Sequence, residues 1–328
     1  MTFFFKLVVV FISLIIYRLV MGTTMEYVIA FGLILLIGIP HGATDHTLAQ
    51  FNNGQSQPKR LSKKFLVRYL LIMAGYGLCW FLSPTLSFMA FILLSAYHFG
   101  EAQLAYQKNL KLAHAAASLS GVAFLLILLL PHQDEVANYI VPYFVSESGL
   151  TWFGSYAPWM LIAIVALLIG CLAINGWRIL RKEIIDLILV FIVSYFTSLL
   201  FGFAIFFAFW HSWDAAKMQI GKISQIKQEF NLKKWSKEAT PFTLISWAGI
   251  GLILVLFELT ALPWPIITSF FVLVSIITLP HAIIMSRFYK TDYASIPDAF
   301  SLEDGAGRAT PGGKSKTGSG LGMPPSSS

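Results

Sequence analysis

Ten apolar segments, separated by short polar loops, make up most of the chain. They cover residues 4–21, 25–46, 66–82, 86–105, 112–131, 152–177, 184–197, 199–216, 240–259 and 263–288. A membrane-spanning helix needs about 20 predominantly apolar residues, and most of these segments approach or exceed that length. The pattern predicts an all-α, polytopic membrane bundle of about ten transmembrane helices, several of them kinked by proline.

The apolar stretch of residues 184–216 fits either one long helix or two short ones, and the loop charges decide between them. Lys and Arg cluster between segments two and three, four and five, six and seven, and after segment eight. These basic loops share one side of the membrane only if the stretch breaks near Thr197–Ser198. Because basic loops favour the cytoplasm, we expect the break, and we expect both termini to be cytoplasmic.

Composition supports a membrane protein and argues against nucleic-acid binding. The chain is 57% hydrophobic and 12% charged, whereas soluble domains contain about 25% charged residues. The net charge of +7 arises from basic residues in short loops. The two cysteines, Cys79 and Cys171, lie inside apolar segments, so we expect buried thiols and no disulfide framework.

The two ends of the chain differ in character. The apolar N-terminus lacks a clear cleavage site and is expected to remain as a helix. Residues 1–292 are predicted to form a single transmembrane bundle. Residues 293–328 are largely rich in Gly, Ser and Pro, which predicts a flexible tail that derives in part from a cloning linker.

Five of the seven histidines fall at one predicted depth. They lie near the cytoplasmic ends of segments two, four, eight and ten, which all run in the same direction. A membrane interior tolerates such side chains when they face one another, water or an ion. We therefore predict a metal site. The five residues are His41, His46, His98, His211 and His281. The other two, His114 and His132, are expected near the membrane surface.

Each of three histidines is followed by a carboxylate one helical turn later, on the same helix face. A metal-bound imidazole usually donates its second N–H to a carboxylate, a carbonyl or water. These acids are therefore candidate partners of the ligands, although they would also suit solvated helix ends. The pairs are His41 with Asp45, His98 with Glu101, and His211 with Asp214.

Proline and glycine residues accompany the same histidines. Pro40 precedes His41 and Pro280 precedes His281, and proline inside a helix kinks its axis. We expect the kinks to turn these imidazoles towards the bundle centre. Close helix packing at this level is expected at glycines, which are Gly38, Gly42 and Gly100.

The candidate ligands also suggest a chemistry. An all-imidazole site without thiolate suits iron, zinc or copper. The aromatic run FGFAIFFAFWHSW, residues 201–213, leads into His211. Its rings either line a slot for a long, flat polyene or face lipid, and the sequence leaves both open.

Four motifs resemble those of a known family. GIPHGATDH, YHFGEAQ, FWHS and TLPHAIIM, spread over residues 38–288, resemble the membrane β-carotene 15,15′-dioxygenases of the bacteriorhodopsin-related-protein type. The resemblance implies an Fe(II) enzyme that uses O₂ to cleave the central double bond of β-carotene into two all-trans-retinal. It further implies a bacterial inner membrane location and a microbial rhodopsin as acceptor of the product.

The resemblance also assigns residues. His41, His98 and His211 match positions that the family is thought to use for iron, and His46 and His281 match further motif histidines. The family often has another histidine four residues after the position of His211, where this chain has Ala215. We expect His281 to replace it, with His46 as second choice. His41 and His46 are about 140° apart on a helix, so both can bind one ion only if the helix breaks between them.

Other functions remain compatible with the sequence. A transporter or a rhodopsin-assembly partner would also use a polar cluster between membrane helices. A membrane desaturase or hydroxylase is disfavoured because the chain contains no HxxxH or HxxHH motif. A retinal-binding rhodopsin is disfavoured because segments nine and ten contain no lysine before Lys290.

Overall fold

The structure is a computed structural model, and it describes residues 1–52, 62–105, 107, 110–139, 141–226, 230–259 and 266–290. These residues form helices joined by short turns, with no strand among them. The predicted all-α class is confirmed. The predicted tail, residues 293–328, and the predicted start of the last segment, residues 263–265, lie outside the described residues.

The helices follow the predicted segments closely. In chain order they are α1 (Phe3–Val20), α2 (Thr24–Leu33), α3 (Ile39–Gly42), α4 (Asp45–Asn52), α5 (Lys63–Leu82), α6 (Pro84–Leu104), α7 (Ala113–Leu129), α8 (Gln133–Tyr139), α9 (Val141–Phe144), α10 (Glu147–Ala173), α11 (Trp177–Phe196), α12 (Leu199–Ile205), α13 (Trp213–Ile226), α14 (Leu232–Leu259) and α15 (Ile266–Lys290). Two π-helical turns, π1 (Ile34–Gly38) and π2 (Phe206–Ser212), join α2 to α3 and α12 to α13.

Eight helical stretches within the described residues are long and apolar enough to cross a membrane, which confirms a polytopic bundle. The helices α6 and α11 are 21 and 20 residues long but more polar. Charged residues crowd the first half of α11, and α6 contains a histidine and a glutamate. These two helices and the eight apolar stretches correspond to the ten predicted segments.

The predicted break near Thr197–Ser198 is confirmed. Helix α11 ends at Phe196, and Thr197 has an extended backbone conformation. Ser198 then caps α12, because its side chain accepts a hydrogen bond from the backbone N–H of Phe201. The apolar stretch therefore forms two helices.

Glycines bring α6 and α7 into backbone contact. A Cβ atom at Gly100 would collide with the carbonyl group of Ala117, and one at Gly121 would collide with that of Ala96. Such close approach is typical of small residues between membrane helices. It fixes the position of α6 near His98.

A buried carboxylate, Asp186, connects four elements of the bundle through hydrogen bonds. Asp186 of α11 accepts hydrogen bonds from Lys6 Nζ at 2.6 Å, from Gln103 Nε2 at 2.7 Å and from Trp210 Nε1 at 3.3 Å. Its donors come from α1, α6 and π2. Since Trp210 directly precedes His211, this network helps to hold the backbone that carries one of the candidate ligands.

Candidate metal centre

Four histidines from separate parts of the chain meet inside the bundle. His41, His98, His211 and His281 are only 3%, 2%, 3% and 6% exposed. The His41 ring lies 5.0 Å from that of His211 and 4.8 Å from that of His281, measured between centroids. The His98 ring lies 4.8 Å and 5.2 Å from the same two rings. The four imidazoles therefore form a closed ring of contacts, with His98 across from His41.

Six of the eight ring nitrogens in this cluster lack hydrogen-bond partners among the described residues. Within the described part of the chain, no partner exists for Nε2 of His41 and His281, or for either nitrogen of His98 and His211. Nitrogen atoms of His41, His211 and His281 lie within 4.8 Å of one another. Burying unsatisfied polar atoms is unfavourable, and a shared cation would satisfy one nitrogen of each ring. The donor set fits a transition-metal ion, because imidazole is a common ligand for iron, zinc and copper.

Local backbone irregularity presents His41 to the cluster. The turn π1 ends at Gly38, and Pro40 follows at the start of α3. His41 Nδ1 donates a hydrogen bond to the carbonyl oxygen of Gly38, which leaves Nε2 available as a ligand. Gly38 lets the ring of Phe207 approach the backbone, because a Cβ atom here would force that ring to shift. Single π-helical turns are frequent at functional sites.

The helix breaks directly after His41, and side chains satisfy the backbone that the break exposes. α3 ends at Gly42 and α4 begins at Asp45. The His41 carbonyl oxygen accepts hydrogen bonds from Thr44 Oγ1 at 2.9 Å and from Gln219 Nε2 at 3.0 Å. Trp235 Nε1 donates to Gln219 at 2.9 Å. Two further helices thus hold the His41 backbone in place.

His281 is oriented by a carboxylate from another helix. Its Nδ1 donates to Asp45 Oδ1 at 2.8 Å, so Nε2 is left to face the cluster. Tyr69 of α5 donates its hydroxyl hydrogen to Asp45 Oδ2 at 3.0 Å. The Tyr69–Asp45–His281 chain resembles the carboxylate–histidine arrangement of protein metal sites. Asp45 is therefore the hydrogen-bond partner of His281. Its spacing in the sequence had indicated His41 as the partner.

The other two carboxylates bind groups outside the histidine cluster. Asp214 accepts from the N-terminal ammonium group of Met1 at 2.8 Å. Glu101 accepts from Tyr97 and Ser286, each at 3.0 Å. Asp214 was a candidate partner of His211, and Glu101 of His98. In the structure, both carboxylates bind these other groups instead. The reason is geometric, because a carboxylate one turn along a helix faces the neighbouring helices more readily than its own imidazole.

His46 lies apart from the four meeting rings. The helix does break between His41 and His46, which was the condition for both to bind one ion. The break directs His46 against the ring of Phe242, with centroids 4.3 Å apart. Its Nε2 lies 3.2 Å from Thr47 Oγ1. Of the two candidates to replace the histidine missing at position 215, His281 is the one that the structure brings to the cluster.

The remaining histidines differ from each other. His114 is exposed, as expected for a residue near the membrane surface. His132 was predicted at the surface but is buried, with Nδ1 3.1 Å from Glu135 and Nε2 3.3 Å from Ser194. The loop that contains it packs onto the end of α11, which sequence polarity alone did not indicate.

Comparison with known proteins places these features in a family. A family model described as beta-carotene 15,15'-dioxygenase matches residues 32–289, which include all four clustered histidines. The chain belongs to the beta-carotene 15,15'-dioxygenase family. A relative of that name from an uncultured marine bacterium, 66A03, is 28% identical over 190 residues. This match covers 56% of the present chain and 66% of the relative, slightly less than two thirds of it. No solved structure matches the chain.

The family match confirms the resemblance that the four motifs indicated. All four lie within the matched residues, from π1 to near the end of α15. The motifs GIPHGATDH, YHFGEAQ, FWHS and TLPHAIIM supply His41, His98, His211 and His281, the four residues whose rings meet. Each of the four motifs therefore contributes one histidine to the cluster, whereas His46 of the first motif lies outside it.

An apolar cavity of about 180 Å³ lies beside the cluster. Phe99 lines it and places its ring 4.9 Å from that of His211. Phe203 also lines it and stacks on Phe207, whose ring stacks in turn on His211 at 5.4 Å. The cavity is elongated along the bundle. Its lining includes Glu26 and Ile34, and eight residues correspond to about 12 Å along a helix.

The aromatic run before His211 packs inward. Phe201, Phe206 and Trp210 are almost fully buried, and no residue from 201 to 210 is classed as exposed. Of this run, Phe203 lines the cavity, Phe201, Phe206 and Trp210 pack in the hydrophobic core, and Trp213, after His211, is exposed. Aromatic rings thus separate the cavity from the imidazoles.

Proposed function

We propose that the chain is an iron-dependent β-carotene 15,15′-dioxygenase. In this proposal it cleaves the central double bond of β-carotene with O₂ and releases two molecules of all-trans-retinal. One observation carries the proposal. Four buried imidazoles with unsatisfied nitrogens meet beside an apolar cavity, in a chain that belongs to this family.

Fe(II) is the ion that we propose for the cluster, held by His41, His98, His211 and His281. Imidazole ligands suit iron. Both cysteines are free, and the expectation that both thiols are buried is wrong, since Cys79 is exposed and Cys171 is partly buried. When bound, iron supplies the activation of dioxygen. The protein supplies ligand orientation through the Gly38 carbonyl group and the Asp45 carboxylate, which fix the ring nitrogens that face the ion.

The cavity accounts for the recognition of a hydrocarbon. A polyene without polar groups gains affinity mainly from burial against apolar side chains. Phe99 and Phe203 would hold the chain of the substrate next to His211 while excluding water from the reacting bond. A 40-carbon substrate exceeds the cavity of about 180 Å³, so we expect these rings to move apart when it binds.

The proposal includes a setting in the cell. We place the chain in a bacterial inner membrane with both termini cytoplasmic, on the basis of its eight apolar helices and basic loops. A microbial rhodopsin is the proposed acceptor of the product. Residues 1–292 are proposed to form the catalytic bundle.

The proposal is tested with protein purified in detergent. Bound metal is quantified by elemental analysis, β-carotene is added with Fe(II) and air, and the products are separated by chromatography. We expect about one iron per chain, in line with a single four-imidazole site, and retinal as the only product. Iron-free protein that leaves β-carotene intact would refute the enzyme and favour the transporter or rhodopsin-assembly alternatives.

A matched variant separates the metal site from the cavity. Phe203→Trp enlarges a side chain that lines the cavity but does not contact the histidines directly, since Phe207 stacks between it and His211. We expect unchanged iron content with a raised KM for β-carotene, because overfilling a cavity excludes part of the substrate. An unchanged KM would remove the cavity from the proposal.

A further inference from the structure

A buried carboxylate lies one helical turn from the histidine cluster. Glu101 is 8% exposed and follows His98 by three residues on α6. Its Oε1 accepts from Ser286 Oγ at 3.0 Å, and Ser286 follows His281 by five residues on α15. The same two helices that carry two of the candidate ligands therefore hold Glu101 between them, nearer to their C-terminal ends.

One oxygen of this carboxylate is unsatisfied. Within the described residues, Glu101 Oε2 is buried and has no hydrogen-bond partner. Lys290 pairs with the other oxygen: its Nζ lies 3.6 Å from Oε1, and its side chain is 52% exposed. This ion pair is longer than a hydrogen bond and is open to solvent, so it holds the carboxylate only loosely. A buried carboxylate oxygen without a donor is a suitable ligand for a divalent cation.

Polar groups connect Glu101 to the exposed face of the bundle. The Tyr97 hydroxyl donates to Glu101 at 3.0 Å and lies 2.8 Å from Nδ1 of His114. His114 is exposed at the start of α7, and Lys290 ends α15 at the same face. On another side of the cluster, the rings of Phe99 and Phe207 cover His211. The polar connection from the exposed face therefore ends at Glu101, one helical turn after His98.

From this arrangement we infer that Glu101 is a transient ligand that passes the metal ion from the exposed face to the histidines. The inference rests on the proposed metal centre. A divalent cation displaces Lys290 from the carboxylate, loses part of its hydration to Glu101, and then transfers to the imidazoles. Charged residues inside a membrane bundle commonly mark such ion pathways.

The test measures the rate at which metal-free protein takes up Co(II), followed by its visible absorption bands in detergent. Glu101→Gln keeps the size of the side chain and its acceptor for Ser286 but removes the charge. We expect uptake to slow by at least about tenfold, within the range that groups near metal sites contribute, with unchanged final Co(II) content. Glu101→Asp is expected to restore most of the rate.

Lys290→Gln is the matched control. It breaks the same ion pair but keeps the carboxylate, so we expect uptake as fast as in the wild type or faster. Wild-type uptake in Glu101→Gln would overturn the inference, and so would equal slowing in Lys290→Gln, which indicates a structural ion pair. Loss of final Co(II) content in Glu101→Gln alone would make Glu101 a permanent ligand instead. Failure of the wild type to bind Co(II) would overturn the proposed metal centre itself.

Discussion

The hydrogen bond between Asp45 and His281 gives the sharpest prediction about the candidate metal centre. Asp45→Ala removes the carboxylate that accepts from His281 Nδ1 at 2.8 Å and from Tyr69 at 3.0 Å. The imidazole then loses the hydrogen bond that fixes its orientation and tautomer. We expect metal affinity to fall without loss of the fold, because the helices that carry the four imidazoles keep their packing.

The expected size follows from the kind of contact that is lost. Residues that hydrogen-bond to metal-ligating histidines contribute about 10- to 100-fold in affinity, and this range corresponds to about 1.4–2.7 kcal/mol. Tyr69→Phe leaves the Asp45–His281 contact intact and removes only the hydroxyl group behind it. We therefore expect a smaller loss of affinity from Tyr69→Phe than from Asp45→Ala.

Competition titration with a metal chelator measures these affinities in detergent. Asp214→Ala is the matched control. Asp214 follows His211 by one helical turn, as Asp45 follows His41, but it binds the Met1 ammonium group and no histidine of the cluster. Its metal affinity should equal that of the wild type. Equal losses in Asp45→Ala and Asp214→Ala, or no loss in either, would refute the reasoning from contacts.

Three further predictions concern the ligands, the buried charges and the helix packing. His98→Ala should weaken metal binding, because it leaves His41, His211 and His281 as the ligands, while His46→Ala should leave binding unchanged, and elemental analysis of the two variants compares them; the reverse result would contradict the four-imidazole cluster. Lys6→Met leaves a buried carboxylate without its closest cation and should destabilise the protein by about 3–5 kcal/mol, whereas the more exposed Lys182 should tolerate the same change; thermal unfolding in detergent compares them. Gly100→Ala should force α6 and α7 apart and lower the unfolding temperature, and an unchanged temperature would contradict that close contact.

Much of the fold was accessible from the sequence because membrane helices obey simple rules of length and charge. The basic loops required a break near Thr197–Ser198, and Ser198 does cap a new helix there. The depth of the histidines indicated that they meet, because helices of the same direction carry them to one level. Four of the five predicted residues meet in this way, and these are His41, His98, His211 and His281.

The side-chain contacts between helices could not be predicted from the spacing of residues along the sequence. Asp45 and Tyr69 lie on different helices, and no local pattern links either of them to His281. After the break that follows His41, the chain turns so that His46 packs on Phe242. The direction of this turn depends on Thr44 and Gln219, which bind the carbonyl oxygen of His41. Periodicity describes which residues share one helix face, whereas these partners depend on rotation and packing between helices.

X-ray absorption spectroscopy at the iron edge tests the central claim most directly. We predict that iron-loaded protein has imidazole nitrogen ligands and no sulfur ligand. We further predict that His281→Ala, which removes the histidine that stands in for the one missing at position 215, lowers the imidazole count by one. A sulfur ligand, or an imidazole count that His281→Ala leaves unchanged, would contradict the account.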